Sequence, residues 1–210
     1  MSLPYDPHEA ARMLAGADPE LALLIERVGP PSLERPALQS PFEALARAIV
    51  YQQLSTQAAR TIYGRVQALF PGGTLTPAAV LACDDAHLRA AGMSRAKVAA
   101  VKDLAARTLE GVVPDLHTLQ DMDDEAIIAR LTRVRGVGRW TVEMFLLFRL
   151  GRPDVLPATD LGIRRGFMRT YRLDNLPEPR HILDHGTRWQ PYRSVASWYL
   201  WRAVDGPAPV

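Results

Sequence analysis

Two glycines in one tight turn, Gly136 and Gly138, separate two stretches of helical periodicity. Glycine permits a positive φ and lets another group approach the backbone closely. A helix that begins directly after the turn presents unpaired N–H groups, which form a natural phosphate site. Arg133, Arg135 and Arg139 add positive charge around the turn. The segment has the features of an anion-binding hairpin, although an ordinary corner between two helices also uses glycine for packing alone.

Basic residues are concentrated in the same part of the chain. The protein has 25 lysine and arginine residues and 23 acidic residues, a formal net charge of +2. Residues 131–172 carry nine basic and three acidic residues, a local net charge of +6. Such a block suggests a polyanionic partner. Because 23 of the 25 basic residues are arginine, a generally arginine-rich composition is the alternative explanation.

Length and composition limit the class of protein. With 210 residues, of which 48% are hydrophobic and 23% charged, the chain suits one domain or two small lobes with a sizeable core. It has no apolar run of about 18 residues and no visible secretory signal, so we expect no membrane span and a cytoplasmic location. The single cysteine, Cys83, excludes an internal disulfide, a cysteine-based zinc site and an iron–sulfur cluster.

The elements that position the hairpin are predicted to be helices, because apolar residues recur at helical spacing along the chain. A helical stretch begins at Ser40-Pro41 and ends at Pro71-Gly72-Gly73. Further helices are predicted over residues 84–91, 95–110, 123–134, 139–150, 160–171 and 191–204. The last five residues, 206–210, are predicted to be a frayed tail.

The hairpin and the segment after it resemble a known family. VRGVGRWT (134–141) followed by LPATDLGIRRGF (156–167) is similar to the helix-hairpin-helix DNA glycosylase superfamily, in which an essential aspartate follows the hairpin glycines after a loop. Residues 48–59, 91–105 and 189–203 resemble the other blocks of its 3-methyladenine DNA glycosylase II branch, in the same order. The resemblance extends from about Pro41 to Arg202.

This resemblance implies an all-α fold of two helical lobes, with the helix-hairpin-helix motif flanking a central cleft. We expect residues 41–110 to form one lobe. Residues 111–210 together with 1–40 are expected to form the helix-hairpin-helix lobe of the same glycosylase unit. Some members carry a preceding β-rich domain, for which residues 1–40 leave no room, so no separate N-terminal β domain is expected.

The resemblance assigns catalysis to Asp160, which follows Pro157-Ala158-Thr159. When a base–sugar bond breaks, the sugar carbon develops oxocarbenium character, which a nearby carboxylate stabilises electrostatically. An aspartate at the start of a helix is also a standard N-cap. The two roles are compatible, because a cap fixes the side chain.

The resemblance also implies a base pocket and a wedge. Trp140 and Trp201 match pocket tryptophans, whose faces stack on a cationic alkylated base for roughly 0.5–2 kcal/mol, whereas core packing is the alternative for Trp201. Met144, one helical turn from Trp140, stands where a tyrosine is found in the branch. Leu54 matches the wedge that replaces an extruded base, with Gln53 beside it, although a leucine is alternatively part of the core.

The hairpin is expected to hold the DNA backbone. The residues assigned to DNA phosphates are Gly136 and Gly138 through their N–H groups, Thr141 through its hydroxyl, and Arg139. The resemblance implies no required cofactor, but a structural Na⁺ or K⁺ ion held by three backbone carbonyls, those of Thr132, Val134 and Val137.

Lysine content indicates the reaction type. Bifunctional relatives form a Schiff base through a lysine after the hairpin, where this chain has Trp140. Only Lys97 and Lys102 are present, both within the predicted helix over 95–110, and arginine cannot substitute because it does not deprotonate. We therefore expect a monofunctional enzyme, acting as a monomer on double-stranded DNA with alkylated bases and producing an abasic site.

Three functions remain open from the sequence. The first is the monofunctional alkylbase glycosylase, and the second is a non-catalytic helix-hairpin-helix DNA-binding protein. The third is a glycosylase for another lesion. Release of bases from methylated duplex DNA separates the first from the second, and a panel of lesions separates the first from the third.

Overall fold

The computed structural model describes residues 3–33 and 40–205, and within these ranges it contains thirteen α-helices and no strand. The all-α prediction is therefore confirmed, while the predicted frayed tail lies outside the described residues. No helix in the described ranges is long and apolar enough to cross a membrane. In chain order, α1 to α13 are Pro7–Ala17, Pro19–Val28, Pro41–Tyr51, Thr56–Gln67, Pro77–Ala82, Asp85–Ala90, Arg95–Leu109, Leu116–Asp121, Asp124–Leu131, Arg139–Phe145, Leu161–Thr170, Pro179–His185 and Arg193–Asp205.

Local capping explains why these helices begin where they do. Ser40 accepts a hydrogen bond from the Glu43 N–H at 3.2 Å, and Pro41 occupies the first helical position of α3. The turn at 52–55, which contains Leu54, divides the predicted helical stretch from Ser40 to Gly73 into α3 and α4. After α10, the chain continues as a π-helical turn over Leu146–Leu150.

Two compact units divide the chain. Unit 1 comprises Met1–Ala37 with Leu146–Val210, and unit 2 comprises Leu38–Phe145. This division differs from the predicted lobes, since residues 111–145 and the hairpin among them belong with unit 2. The reason lies in packing: α10 contacts α9 and α3, which are both elements of unit 2.

The core of unit 1 is built around α13. This helix packs against α1, α2 and α11, and its Tyr199 is fully buried. Trp189 and Phe167 are also buried in this core. A buried carboxylate, Asp18, accepts hydrogen bonds from Tyr171 at 2.7 Å and from the Trp189 indole at 3.0 Å. Apolar burial and one satisfied polar cluster therefore hold the N-terminal helices onto the C-terminal ones.

The core of unit 2 is built around α7. This helix packs against α3, α5 and α6. Its apolar face, which includes Val98, Val101 and Leu104, is buried. The face recurs at intervals of three and four residues, as an amphipathic helix requires. Consequently α7 is the element against which both the turn at 52–55 and the hairpin can be held.

Candidate active site

Asp160 lies at the N-terminus of α11, where its side chain has two identified donors. Oδ1 accepts the N–H of Ile163 at 2.9 Å, which makes Asp160 the N-cap of α11 as predicted. The same oxygen accepts the indole N–H of Trp201 at 2.9 Å. The residue is half-buried, so its carboxylate is fixed in orientation without being sealed in the core.

Gly162 makes the contact between Asp160 and Trp201 possible. A Cβ atom at this position would lie 2.7 Å from Cδ1 of Trp201 and 2.9 Å from Oδ1 of Asp160. Four residues later, a Cβ atom on Gly166 would lie 2.0 Å from the carbonyl oxygen of Leu200. Neither glycine was predicted to have this role, although their spacing of four residues places both on one face of α11.

The loop before Asp160 is fastened to the start of α13. The Arg193 guanidinium donates to the Asp154 carboxylate at 2.7 and 2.8 Å. The Ser194 hydroxyl accepts the Val155 N–H at 3.0 Å, and the Ser197 hydroxyl donates to the Val155 carbonyl at 3.1 Å. The same helix therefore holds the loop at its first turn and supplies Trp201 near its end.

Trp201 lines a cavity within unit 1. Its ring stacks on Phe148, with centroids 5.6 Å apart and planes 29° apart. The cavity has a volume of about 490 Å³ and is lined by Ser32, Leu33, Phe148, Trp198, Trp201 and Arg202. Trp201 is half-buried and also packs against the unit 1 core. One part of the side chain therefore lines the cavity and another part belongs to the core.

In unit 2 the hairpin has the predicted backbone geometry. Gly136 has a φ of +76°, a left-handed conformation that favours glycine, and a Cβ atom there would lie 3.1 Å from the Cβ of Ala100. A Cβ on Gly138 would meet nothing within 4 Å, so the backbone at this glycine faces open space. The turn is thus packed on one side and accessible on the other.

Two of the predicted phosphate ligands have different surroundings from those expected. The Arg139 guanidinium is paired with the Glu125 carboxylate at 2.9 Å and lies 3.6 Å from that of Glu143. Hydrogen bonds to Glu125 raise the pKa of Arg139, and those from Arg139 lower the pKa of Glu125. Thr141 is only 7% exposed, so little of the residue lies at the surface.

The other predicted side chains of unit 2 are accessible. Trp140 is 45% exposed and Met144, one turn later on α10, is half-buried. Leu54 is 38% exposed in the turn between α3 and α4, which argues against the alternative that it is a core residue. Gln53 beside it is exposed, with a left-handed φ of +56°.

The three carbonyls predicted to hold a cation lie in the turn between α9 and α10. The Val134 carbonyl accepts the Val137 N–H at 3.1 Å, which uses one of its two lone pairs. Thr132 follows α9 directly as its C-cap. Oxygen donors of this kind suit a hard cation, so the residues present fit such an ion.

A family model described as HhH-GPD superfamily base excision DNA repair protein matches residues 46–191, which include the hairpin and Asp160. The chain belongs to this superfamily. Membership in the HhH-GPD superfamily confirms the resemblance that the hairpin and the segment of Asp160 indicated.

Named relatives within the HhH-GPD superfamily cover nearly the whole chain. DNA-3-methyladenine glycosylase 1 of Schizosaccharomyces pombe is 37% identical over 90% of this chain and 84% of the relative. The alkylbase DNA glycosidase-like protein mag2 of the same organism is 29% identical over 96% of each chain. A solved structure, S. pombe 3-methyladenine DNA glycosylase (Mag1) in complex with abasic-DNA, has a TM-score of 0.86 and 35% identity, covering 96% of this chain and 99% of that one.

Proposed function

We propose that this HhH-GPD protein is a monofunctional DNA glycosylase that removes alkylated bases from double-stranded DNA. The observation that carries the proposal is the Asp160 carboxylate, which the Ile163 N–H and the Trp201 indole hold in one orientation while it stays half-buried. The carboxylate of Asp160 therefore keeps a defined orientation while it remains accessible, which a cap enclosed in the core does not. Relatives named 3-methyladenine glycosylases support the same activity.

In the proposed reaction the bond between the sugar carbon and the base nitrogen breaks. The electron pair leaves with the base, and positive charge develops on the sugar. Asp160 stabilises this charge electrostatically, which is the largest single contribution in many enzymes. A water oxygen then bonds to the sugar carbon and loses a proton to solvent, which leaves an abasic site.

Cationic alkylated purines are the proposed substrates. Alkylation of a ring nitrogen makes the base positively charged and a better leaving group. Trp201, stacked on Phe148 at the cavity of unit 1, offers an aromatic face to such a base. Trp140 of unit 2, which is 45% exposed, is the other aromatic residue proposed for base binding. A cation over a tryptophan face gains roughly 0.5–2 kcal/mol, which neutral undamaged bases do not gain.

The surroundings of the two lysines support a reaction without lyase activity. The Lys97 ammonium donates to the carbonyls of Val50 at 2.8 Å and Gln52 at 2.7 Å. Lys102 forms an ion pair with Asp85 at 2.5 Å. A Schiff base requires a free amine at the sugar, and both amines are engaged within unit 2.

The backbone N–H groups at Gly136 and Gly138 are proposed to hold a DNA phosphate. Leu54 is proposed to fill the space that the extruded base leaves, with Gln53 beside the opened base pair. A Na⁺ or K⁺ ion on the carbonyls of the hairpin turn would supply positive charge beside the phosphate. The protein is proposed to act on DNA inside the cell as a monomer.

The test is release of methylated bases from alkylated duplex DNA by the wild-type protein and by Asp160→Asn. Because asparagine also caps a helix, the variant should fold and bind DNA but lose at least about 100-fold in base release. The matched control is Asp115→Asn, which changes another N-cap aspartate whose side chain accepts the Thr118 N–H at 2.8 Å. Undiminished release by Asp160→Asn would overturn the assignment, and DNA binding without release by the wild type would indicate a non-catalytic DNA-binding protein.

A further inference from the structure

The turn at 52–55 carries the proposed wedge, Leu54, in an unusual backbone conformation. Gln53, just before it, has a φ of +56°, in the left-handed region that residues with a Cβ atom rarely adopt. Such a conformation persists only where the surrounding structure imposes it. Neighbouring side chains must therefore hold the turn, and with it Leu54, in this conformation.

Lys97 of α7 supplies the first of these contacts. Its ammonium donates to the carbonyl of Val50 at 2.8 Å and to that of Gln52, the C-cap of α3, at 2.7 Å. A positive charge is unfavourable in the first turn of α7, where Lys97 lies, but favourable at the C-terminus of α3. Lys97 is half-buried in this position, and the burial lowers its pKa.

Gln52 connects the same turn to the hairpin. Its side-chain amide donates to the carbonyl of Gly136 at 2.9 Å. The carbonyl of Gln52 is held by Lys97, so a single residue joins α7, the wedge turn and the hairpin glycine. Any shift of the Gln52 backbone would change the contact with the hairpin.

The face of α7 that carries Lys97 also holds the hairpin directly. Ala100 lies against Gly136, and a Cβ atom added to Gly136 would be only 3.1 Å from the Cβ atom of Ala100. The Asp103 carboxylate accepts the N–H of Arg135 at 2.7 Å. Positions 97, 100 and 103 recur every three residues and therefore lie on one face of the helix.

We propose that Lys97 is a positioning residue that fixes the wedge turn relative to the hairpin, so that Leu54 is held ready to replace an extruded base. This role rests on the proposed glycosylase function and deepens it. The cost of extruding a base is greatest when the base is well paired and stacked. Loss of Lys97 should therefore matter most for a paired lesion.

The test compares Lys97→Met with Lys102→Met, which removes the other lysine of α7 without touching the wedge turn. Single-turnover release of 3-methyladenine-type lesions is measured from a fully paired duplex and from single-stranded DNA. We expect Lys97→Met to lose about tenfold or more on the duplex and less than about threefold on the single strand, with Lys102→Met near wild type on both. Equal losses on both substrates would overturn the proposal, because a general structural defect does not discriminate between them.

A second measurement separates this proposal from the proposed activity. Amide hydrogen exchange should become faster at residues 52–55 and in the hairpin of Lys97→Met, with the other helices of unit 2 unchanged. Unchanged exchange in the turn would overturn the role of Lys97 whatever the activity. Faster exchange there, together with a wild-type protein that releases no base, would support the positioning of the turn and overturn the glycosylase function.

Discussion

Two aspartates of unit 1 begin helices in the same way and have opposite surroundings. Asp18 is the N-cap of α2 and Asp160 is the N-cap of α11. Each also accepts the indole N–H of a distant tryptophan, Trp189 for Asp18 at 3.0 Å and Trp201 for Asp160 at 2.9 Å. Both carboxylates thus cap a helix and accept an indole N–H, although the residues that follow them in the sequence differ.

Burial distinguishes the two. Asp18 is 1% exposed, and Tyr171, His185 and Trp189 all donate to or contact its Oδ2 atom. Burial alone raises the pKa of Asp18, but these hydrogen bonds outweigh it and leave the pKa below its ordinary value. Asp160 is half-buried beside an indole that lines a cavity. A capped aspartate is thus a candidate for chemistry when part of its carboxylate remains accessible.

Removal of the buried aspartate should have the largest effect on stability. Asp18→Ala should destabilise the protein by about 3 kcal/mol or more, because it leaves several buried polar groups without their acceptor. Asp6→Ala is the matched control, since Asp6 caps α1 through the His8 N–H at 2.8 Å but is exposed, and its loss should cost about 1 kcal/mol. Urea unfolding measures both, and equal losses would show that Asp18 is no more than a cap.

Close packing of α11 on α13 is the next feature to disturb, because it brings Trp201 to Asp160. Gly166→Ala places a methyl group against the Leu200 carbonyl and should destabilise by about 1–3 kcal/mol, with slower base release. In α4, a Cβ atom on Gly64 would meet no atom within 4 Å. Gly64→Ala should therefore stabilise the folded protein by about 0.5–1 kcal/mol. Thermal unfolding of the pair checks the sign, and a stabilised Gly166→Ala would contradict the close approach.

Acid should lower the stability of the folded protein in two steps, first through His185 and then through Asp18. Desolvation lowers the pKa of His185 from its ordinary value of 6.5, so the unfolded chain takes up a proton before the folded protein does. Stability is therefore lost as the pH falls below about 6.5. The lowered pKa of Asp18 adds a second loss below its ordinary value of 3.8. Unfolding free energies measured from pH 7 to 5 should fall in the wild type and remain flatter in His185→Gln, and an identical decline in both would contradict this assignment.

The sequence predicted the local features well. Ser40-Pro41 located the start of α3, and the prediction of a helix over 95–110 is confirmed by α7 at Arg95–Leu109. The short helices α5 and α12 were not predicted, although Pro77 and Pro179 occupy the same first-turn position as Pro41. Both helices are short, with six and seven residues, so the first-turn proline was the main available signal for each.

Contacts between residues far apart in the chain could not be predicted from the sequence. The pairing of Asp160 with Trp201 spans 41 positions, and that of Lys97 with Val50 spans 47. Local patterns carry no information on such separations, so the contacts of Lys97 with the turn at 52–55 could not be predicted. Arg139 shows the converse, because its place beside the hairpin suggested a phosphate, whereas the folded chain pairs it with Glu125.

Removing the charge from each of the two capped aspartates separately tests the central distinction most directly. Single-turnover base release per folded molecule and unfolding free energy are measured on Asp160→Asn and Asp18→Asn. We predict that Asp160→Asn loses at least about 100-fold in release with less than about 1 kcal/mol of stability, whereas Asp18→Asn loses stability and keeps its activity per folded molecule. Base release by a folded Asp160→Asn at the wild-type rate would contradict the catalytic role of that carboxylate.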